Sequence, residues 1–282
     1  MVLDWMNLIN ESLEYKNSVE NLIVDFGDYE FVATEDFVVL ACLIEEFYQN
    51  GCKISFVGGT RTLNKYLENI RFKLYWEKGY ERDVYTNLKI GEVIPLWKIS
   101  NSMIDSYANY TNDFFRREFL KKKDLIPLSA NLKEVLNNIF DHAGSENTGY
   151  VLTQYYPQND ILSFSICDFG IGIPSSVNDF RKKQGKASIT DQQAIIKAIS
   201  LGFSAQSTIQ NRGMGLNNLS ESIKALDGTL AIISNNAFYN MNQGKIIVRD
   251  NNLINFKGTL IACDIPINNL DDFDESDSIY SF

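Results

Sequence analysis

The chain has 282 residues, 45% of them apolar and 12% aromatic, which is enough to bury one large core or two modest ones. Its formal net charge of -10 argues against nucleic acid or an anionic membrane surface as the main partner, since both bind proteins through a basic face. No apolar run approaches the roughly 20 residues that cross a bilayer, and the first residues lack the basic start of a leader peptide. These features predict a cytoplasmic protein.

The first hundred residues alternate between short helices and short strands. The predicted order is helix, strand, helix, strand and helix, over residues 1–20, 22–26, 37–48, 53–57 and 60–69. Thr34 or Asp36 can cap the second helix. A strand, a helix and a strand inside about 35 residues predict a parallel βαβ crossover. We therefore expect a small α/β domain over residues 1–100.

Three segments of this first domain resemble the STAS domains of anti-sigma factor antagonists. They are Leu22-Ile-Val-Asp-Phe, Glu30-Phe-Val-Ala-Thr-Glu-Asp-Phe-Val-Val-Leu and Gly51-Cys-Lys-Ile-Ser-Phe-Val, which follow the order core strand, switch loop with helix, and next strand. The resemblance implies a regulatory or interaction domain with a phosphorylatable hydroxyl before the helix. Only Thr34 offers that hydroxyl here, and a plain N-cap role for Thr34 is the alternative.

The middle of the chain connects this domain to a second one. Residues 74–100 are rich in aromatic side chains and predict an irregular bridge, whereas residues 102–123 predict a long helix ending in three lysines. We expect this linking helix at 101–124, an α/β domain over 125–267 and an acidic, flexible tail over 268–282. The four scattered cysteines, without a C-x-x-C pair, predict buried free thiols.

Residues 131–143 contain the first candidate functional motif. Four apolar residues recur at helical spacing and predict a buried stripe: Leu132, Val135, Leu136 and Ile139. Glu134 and Asn138 stand four residues apart and therefore lie one turn above each other on the helix. This polar strip, which His142 extends, is either the solvated face of an amphipathic helix or the wall of a ligand site.

Two glycine-punctuated motifs follow. Strands predicted at residues 150–156 and 161–167 lead into Asp168-Phe-Gly-Ile-Gly-Ile, and Arg212-Gly-Met-Gly-Leu216 opens a helix over 216–226. The polar segment between them, residues 175–212 with a helical patch at 191–200, is typical of a lid over a small-molecule site. The remaining predicted strands cover residues 229–233, 244–249 and 258–265.

Each motif has a distinct use if the ligand is ATP with Mg²⁺. Asn138 offers an oxygen to Mg²⁺, and the Glu134 carboxylate can orient or deprotonate an attacking water or hydroxyl. Asp168 can accept a hydrogen bond from the adenine amino group. Backbone approach to the ring is easiest at Gly170 and Gly172, and a phosphate suits the helix N-terminus formed by Gly213 and Gly215, with Arg212 beside it.

Four segments resemble the N, G1, G2 and G3 boxes of the GHKL ATPases, a superfamily that includes DNA gyrase, MutL and the sensor histidine kinases. They are Glu134-Val-Leu-Asn-Asn138-Ile-Phe-Asp-His, Asp168-Phe-Gly-Ile-Gly-Ile, Arg212-Gly-Met-Gly-Leu216 and Gly258-Thr259. Several boxes in the same order are specific where one alone is weak. The resemblance implies a Bergerat fold over residues 125–267, an α+β sandwich in which helices cover one face of a mixed sheet.

The resemblance also implies roles for the matching residues. Glu134 matches the general base, Asn138 the Mg²⁺ ligand and Asp168 the adenine partner. The hinge of a phosphate-binding lid matches Gly213, Met214, Gly215 and Leu216, and Thr259 matches a residue beneath the adenine. His142 either lines the nucleotide pocket or only packs at the helix end.

Three functions fit these expectations. Sensor histidine kinases usually carry Asn where this chain has Glu134, which argues against a histidine kinase. The first function is an ATPase switch whose hydrolysis opens the lid and alters contacts with a protein partner or a second copy. The alternatives are an anti-sigma-factor-like serine/threonine protein kinase acting on a STAS-like partner, and a non-hydrolysing ATP-gated interaction module.

Overall fold

The structure, a computed structural model, describes residues 6–80, 92–143, 149–200, 215–250 and 255–272. Within these ranges the side chains at 6, 7, 101, 127, 131, 134, 138–143 and 215 lie outside the description. The first half contains α1 (Met6–Glu14), β1 (Asn21–Asp25), α2 (Thr34–Gln49), β2 (Lys53–Val57), α3 (Arg61–Asn69), a 3-10 turn (Lys73–Trp76) and β3 (Val93–Ile99). The second half contains α4 (Ile104–Glu118), α5 (Ile126–Ala143), β4 (Gly149–Tyr156), β5 (Ile161–Asp168), α6 (Ile173–Lys183), α7 (Asp191–Ile199), α8 (Gly215–Ala225), β6 (Thr229–Asn235), β7 (Ala237–Asn242), β8 (Lys245–Asp250) and β9 (Phe256–Pro266).

The predicted βαβ crossover in the first half is confirmed. β1 and β2 pair in parallel, in register from Asn21 with Lys53 to Asp25 with Val57, and α2 connects them. The predicted helix after β2 is also present as α3, where Thr60 Oγ1 accepts a hydrogen bond from the Leu63 amide at 3.3 Å. Whether this unit is a STAS domain stays a prediction.

The large sheet has seven described strands in the order β3-β4-β5-β9-β6-β7-β8. Every described neighbouring pair in it is antiparallel, so the expectation of a mixed sheet is wrong. The reason lies in the connections, because tight turns join β4 to β5, β6 to β7 and β7 to β8, and such turns reverse the chain direction. The coarser prediction of an α+β fold is confirmed.

The edge strand β3 corrects a second expectation, an irregular bridge over residues 74–100. Residues 93–99 pair with β4, from Val93 opposite Gln154 to Ile99 opposite Gly149. Six of the seven β3 side chains are buried, so the strand shows none of the polar alternation by which a strand with one wet face is recognised.

Helices cover both faces of the large sheet, where one covered face was expected. Core residues of α4 to α8 pack with Val151, Phe164 and Ile166 on one face. On the other face α2 packs against β4, β5 and β9, and Cys42 Sγ donates a hydrogen bond to the Cys167 carbonyl at 3.2 Å. The central strands are apolar on both sides and therefore need cover on both. The division at residue 100 stays a prediction, but the described core contacts cross it.

Neither Thr34 nor Asp36 is the N-cap of α2, contrary to expectation, because both lie inside the helix. The N-cap is Ala33, which makes no side-chain capping bond. Thr34 is 1% exposed, and its Oγ1 lies 2.8 Å from Ser165 Oγ and 3.3 Å from Ser163 Oγ on β5. The hydroxyl is therefore used in the contact between α2 and the sheet, and in this conformation it is closed to a modifying enzyme.

Among the other predictions, some are confirmed and others are wrong. The linking helix is shorter than expected, because α4 ends at Glu118 and Lys123 instead forms an ion pair with Asp272 at 3.0 Å. The segment expected to be a lid contains the unpredicted α6 as well as the predicted α7. All four cysteines are buried free thiols, as expected. Among the described residues, no helix is long and apolar enough to cross a membrane.

Candidate functional site

A row of four residues crosses the large sheet at one end of its central strands. Gly149 of β4 is the Cα partner of Asp168 of β5, Asp168 is the partner of Thr259 of β9, and Thr259 is the partner of Ser234 of β6. The register therefore brings together Asp168 and Thr259, two predicted nucleotide-binding residues that are far apart in sequence.

The row faces the side of the sheet that α5 and α8 cover. Ile166, Ile261 and Ile232 lie two residues from Asp168, Thr259 and Ser234 on the same strands, and all three belong to the core beneath α4 to α8. Side chains two residues apart on a strand share a face. The helix of the first motif, α5, also packs against α8, the helix that the third motif opens.

Asp168 is the buried acid of this row, with 2% of its surface exposed. Its Oδ1 accepts a hydrogen bond from the Gly170 amide at 2.7 Å. Burial raises the pKa of the Asp168 carboxyl to about 7, while backbone hydrogen bonds from Gly170 and Thr259 act in the opposite direction. A buried carboxyl with a near-neutral pKa is characteristic of functional sites. When ionised it can accept a hydrogen bond from an amino group, and when protonated it can also donate one.

Ser234 holds the row to the loop after Asp168, and sequence reasoning missed it. Its Oγ donates to the Gly258 carbonyl at 2.7 Å, accepts from the Ile173 amide at 2.9 Å and lies 3.1 Å from Thr259 Oγ1. These contacts join β6, β9 and the first turn of α6. The available signal was the spacing of Ser234 two residues after Ile232, which puts a hydroxyl on the apolar face of a strand.

Two glycines permit this close packing. Gly172 has φ +82°, and a Cβ there would clash with Asn235 Oδ1 and lie 2.8 Å from Ser234 Oγ. Gly258 has φ +86°, and a Cβ there would clash with the Asp168 carbonyl and lie 2.6 Å from Phe169 Cα. The contribution of Gly170 is different, because it supplies the amide that binds Asp168. The need for close approach explains Gly172, but the atoms that approach it belong to Ser234 and Asn235 of β6 and not to a nucleotide ring.

A cavity of about 560 Å³ adjoins the loop after Asp168. Its lining includes Gly170 and Ile171, the start of β9 at Lys257, and Lys16 beyond the end of α1. Glu46 of α2 joins these segments, since it pairs with Lys16 Nζ at 2.5 Å and Lys257 Nζ at 2.9 Å. Hydrogen bonds from both lysines lower the pKa of Glu46 against the opposing effect of burial. The N-terminal segment is thus fixed beside the candidate site.

The remaining predicted site residues are described only in part. Glu134, Asn138 and His142 lie on α5, but their side chains are outside the description, as is that of Ile139. The other members of the predicted stripe, Leu132, Val135 and Leu136, are buried as expected. Arg212, Gly213 and Met214 lie outside the described residues, whereas Gly215 begins α8 and Leu216 is buried in the core. The catalytic and phosphate-binding roles of these residues stay predictions.

The described residues include Asp168, a hydrogen-bond acceptor for a nucleobase, but they form no preformed metal-binding cluster. Among them, no group of three or more His, Cys, Asp or Glu side chains could hold a metal ion. Mg²⁺ bound with a nucleotide needs only one or two protein oxygens, so the predicted ligand Asn138 remains compatible with this finding.

Comparison with known proteins does not identify the chain. Neither the protein-family models nor the curated proteins that were searched gave a match. Function is therefore inferred from the motifs and from the geometry of the row.

Proposed function

We propose that this chain binds ATP together with Mg²⁺ in the manner of a GHKL protein, and hydrolyses it to drive lid opening and a switch in protein contacts. The observation that carries the proposal is the buried Asp168 carboxyl beside Thr259, on the sheet face that α5 and α8 cover. A position that only fills the core favours an apolar residue, because burying a carboxyl costs stability unless it is hydrogen-bonded or paired.

Recognition of adenine follows from the chemistry of Asp168. A carboxylate has more acceptor capacity than the backbone hydrogen bonds from Gly170 and Thr259 use, so it can also accept from the exocyclic amino group of adenine. Guanine carries a carbonyl at that position, which an ionised carboxylate repels. The Thr259 hydroxyl stands next to Asp168 in the row, and we assign to it a second contact with the base.

Catalysis is assigned to α5. Glu134 is the proposed general base, one turn from Asn138, the proposed ligand of Mg²⁺. Bound Mg²⁺ would neutralise charge on the phosphates. We assign the phosphates themselves to Gly213, Gly215 and the N-terminus of α8, with Arg212 as a charged contact.

One assay separates the proposed ATPase from its alternatives. The full-length chain is incubated with Mg²⁺ and ATP that carries a radioactive γ-phosphate. We expect free phosphate, and we expect Glu134→Ala to reduce its release at least about a hundredfold, since a general base contributes that much. Label retained on protein instead supports the kinase, which the parallel βαβ unit favours as a second candidate. Tight binding with neither product supports the ATP-gated module.

Binding of the nucleotide is tested separately by titration with ATP and GTP. We expect Asp168→Asn to weaken ATP binding at least about tenfold and to lessen the preference for ATP over GTP. The matched control is Asp179→Asn, which makes the same change at an exposed position on α6 and leaves binding unchanged. Equal ATP affinity in wild type and Asp168→Asn overturns the proposal.

A further inference from the structure

The strand β1 has an outer edge with which no described strand pairs. On its inner edge, the Glu20 carbonyl accepts from the Lys53 amide at 2.8 Å and the Phe26 amide donates to the Val57 carbonyl at 3.0 Å. The amide and carbonyl of one strand residue point to the same edge, and successive residues alternate. Since the even-numbered residues bond to β2, Asn21, Ile23 and Asp25 direct their backbone groups to the outer edge.

A groove of about 580 Å³ runs along this outer edge. Residues 22–26 all line it, together with Leu8 of α1 and Leu40, Leu43 and Ile44 of α2, and no residue of β2 is part of its described lining. The groove therefore combines a row of backbone donors and acceptors with an apolar floor. An added β-strand needs both, because its backbone pairs with the edge while alternate side chains enter the floor.

The edge lacks three features by which proteins often block strand addition, namely proline, lysine and a bulge. β1 carries no Pro or Lys, and its pairing with β2 continues without a bulge. Large apolar side chains at the groove are instead exposed to solvent, with Ile23 at 65%, Leu8 at 61% and Tyr29 at 60%. Clustered exposed apolar side chains of this kind mark interaction sites.

The charge of the groove selects its partner. Two acidic residues belong to its described lining, Asp25 and Asp36, and of these Asp25 is exposed while Asp36 is buried. Asp28 and Glu30 follow β1 in the sequence, and the whole chain has a net charge of -10. A second copy brings the same negative charge to the contact, whereas a basic segment complements it.

We propose that the groove along the outer edge of β1 binds an extended, basic segment of a protein partner, which adds to β1 as a third strand. The backbone of Asn21, Ile23 and Asp25 pairs with this segment, its apolar side chains enter the floor formed by α1 and α2, and its Lys or Arg side chains lie near Asp25. The inference does not depend on nucleotide binding, so it stands or falls separately from the proposed ATPase.

Binding of synthetic peptides to the full-length chain tests this proposal. The probe is an end-blocked peptide of about seven residues in which valine and lysine alternate, with fluorescence anisotropy as the readout. Two matched peptides replace lysine by glutamate or carry N-methyl groups on alternate amides. We expect saturable binding of the lysine peptide and at least about tenfold weaker binding of both others. Absence of binding by the lysine peptide, or equal binding of all three, overturns the proposal.

Variants of the chain locate the site. Ile23→Pro removes an outward amide without removing a hydrogen bond to β2, and Ile23→Lys adds a charge to the edge. We expect each variant to bind the lysine peptide at least about tenfold more weakly than wild type does. Val57→Lys makes the same change at an exposed apolar residue of β2, and we expect it to change the affinity less than about threefold. Equal effects of Ile23→Lys and Val57→Lys contradict the assignment. The proposal is also contradicted if the wild-type chain sediments as a dimer and Ile23→Lys dissociates that dimer, because the groove then holds a second copy.

Discussion

At the scale of single residues, Asp168 links stability to pH. Its pKa is near 3.8 in the unfolded chain and about 7 in the folded one, so the folded state binds a proton that the unfolded state releases. The contribution of Asp168 to stability is therefore fully present below about pH 4, falls as the pH rises to about 7 and is lost above that range. The full cost of ionising Asp168 in the folded protein is about 4 kcal/mol.

Asp168→Asn removes this cost, because asparagine keeps an acceptor for the Gly170 amide but cannot ionise. We expect the variant to be more stable than wild type by roughly 2 to 4 kcal/mol at about pH 8, and by much less at about pH 4. Urea denaturation at the two pH values measures the difference, with Asp179→Asn as the control. An advantage that does not grow with pH contradicts the raised pKa.

At the scale of elements, the start of α6 depends on the contact between Gly172 and β6. Gly172→Ala combines a strained positive φ with a clash between the added Cβ and Asn235. Gly185 has a similar φ of +69°, but no atom lies within 4 Å of a Cβ added there. We expect Gly185→Ala to cost about 1 kcal/mol and Gly172→Ala about 3 kcal/mol or more in unfolding free energy. If urea denaturation shows the same loss of unfolding free energy in both variants, Asn235 moves away from the added methyl group without cost.

The elements also indicate what a sequence can reveal of this fold. β4, β5 and α8 were predictable because their patterns and flanking glycines are local. β3 was not, since a strand buried on both faces lacks alternation, and α6 was not, since its polar sequence gives a weak pattern and Ser234 bonds its first amide. For the candidate site, Asp168 and Thr259 were found from motifs. Ser234 acquires its role only through the pairing of distant strands.

At the scale of the whole molecule, the two halves share buried contacts. Glu45 of α2 accepts a hydrogen bond from the Tyr150 hydroxyl of β4 at 2.7 Å, and Thr34 Oγ1 of α2 lies 2.8 Å from Ser165 Oγ of β5. One core joins side chains of α2 to residues of β4, β5 and β9. Separating the halves exposes this core to water and leaves polar partners such as Tyr150 unsatisfied.

We therefore expect the full chain to unfold in one cooperative transition, and a fragment of residues 101–282, which lacks α2 and β3, not to fold alone. Calorimetry of the full chain and circular dichroism of the fragment measure this, and agreement between calorimetric and van't Hoff enthalpies is the criterion for a single transition. A fragment with its own sharp melting transition shows instead that residue 100 divides independent folding units.

The hydrogen bond from Cys42 to the Cys167 carbonyl has a consequence for communication across the sheet. Cys167 faces α2, and Asp168, the next residue, faces α5 and α8. The carbonyl that Cys42 binds belongs to the peptide group that continues into Asp168. This one peptide group therefore connects the contact with α2 on one face of the sheet to the buried acid of the candidate site on the other.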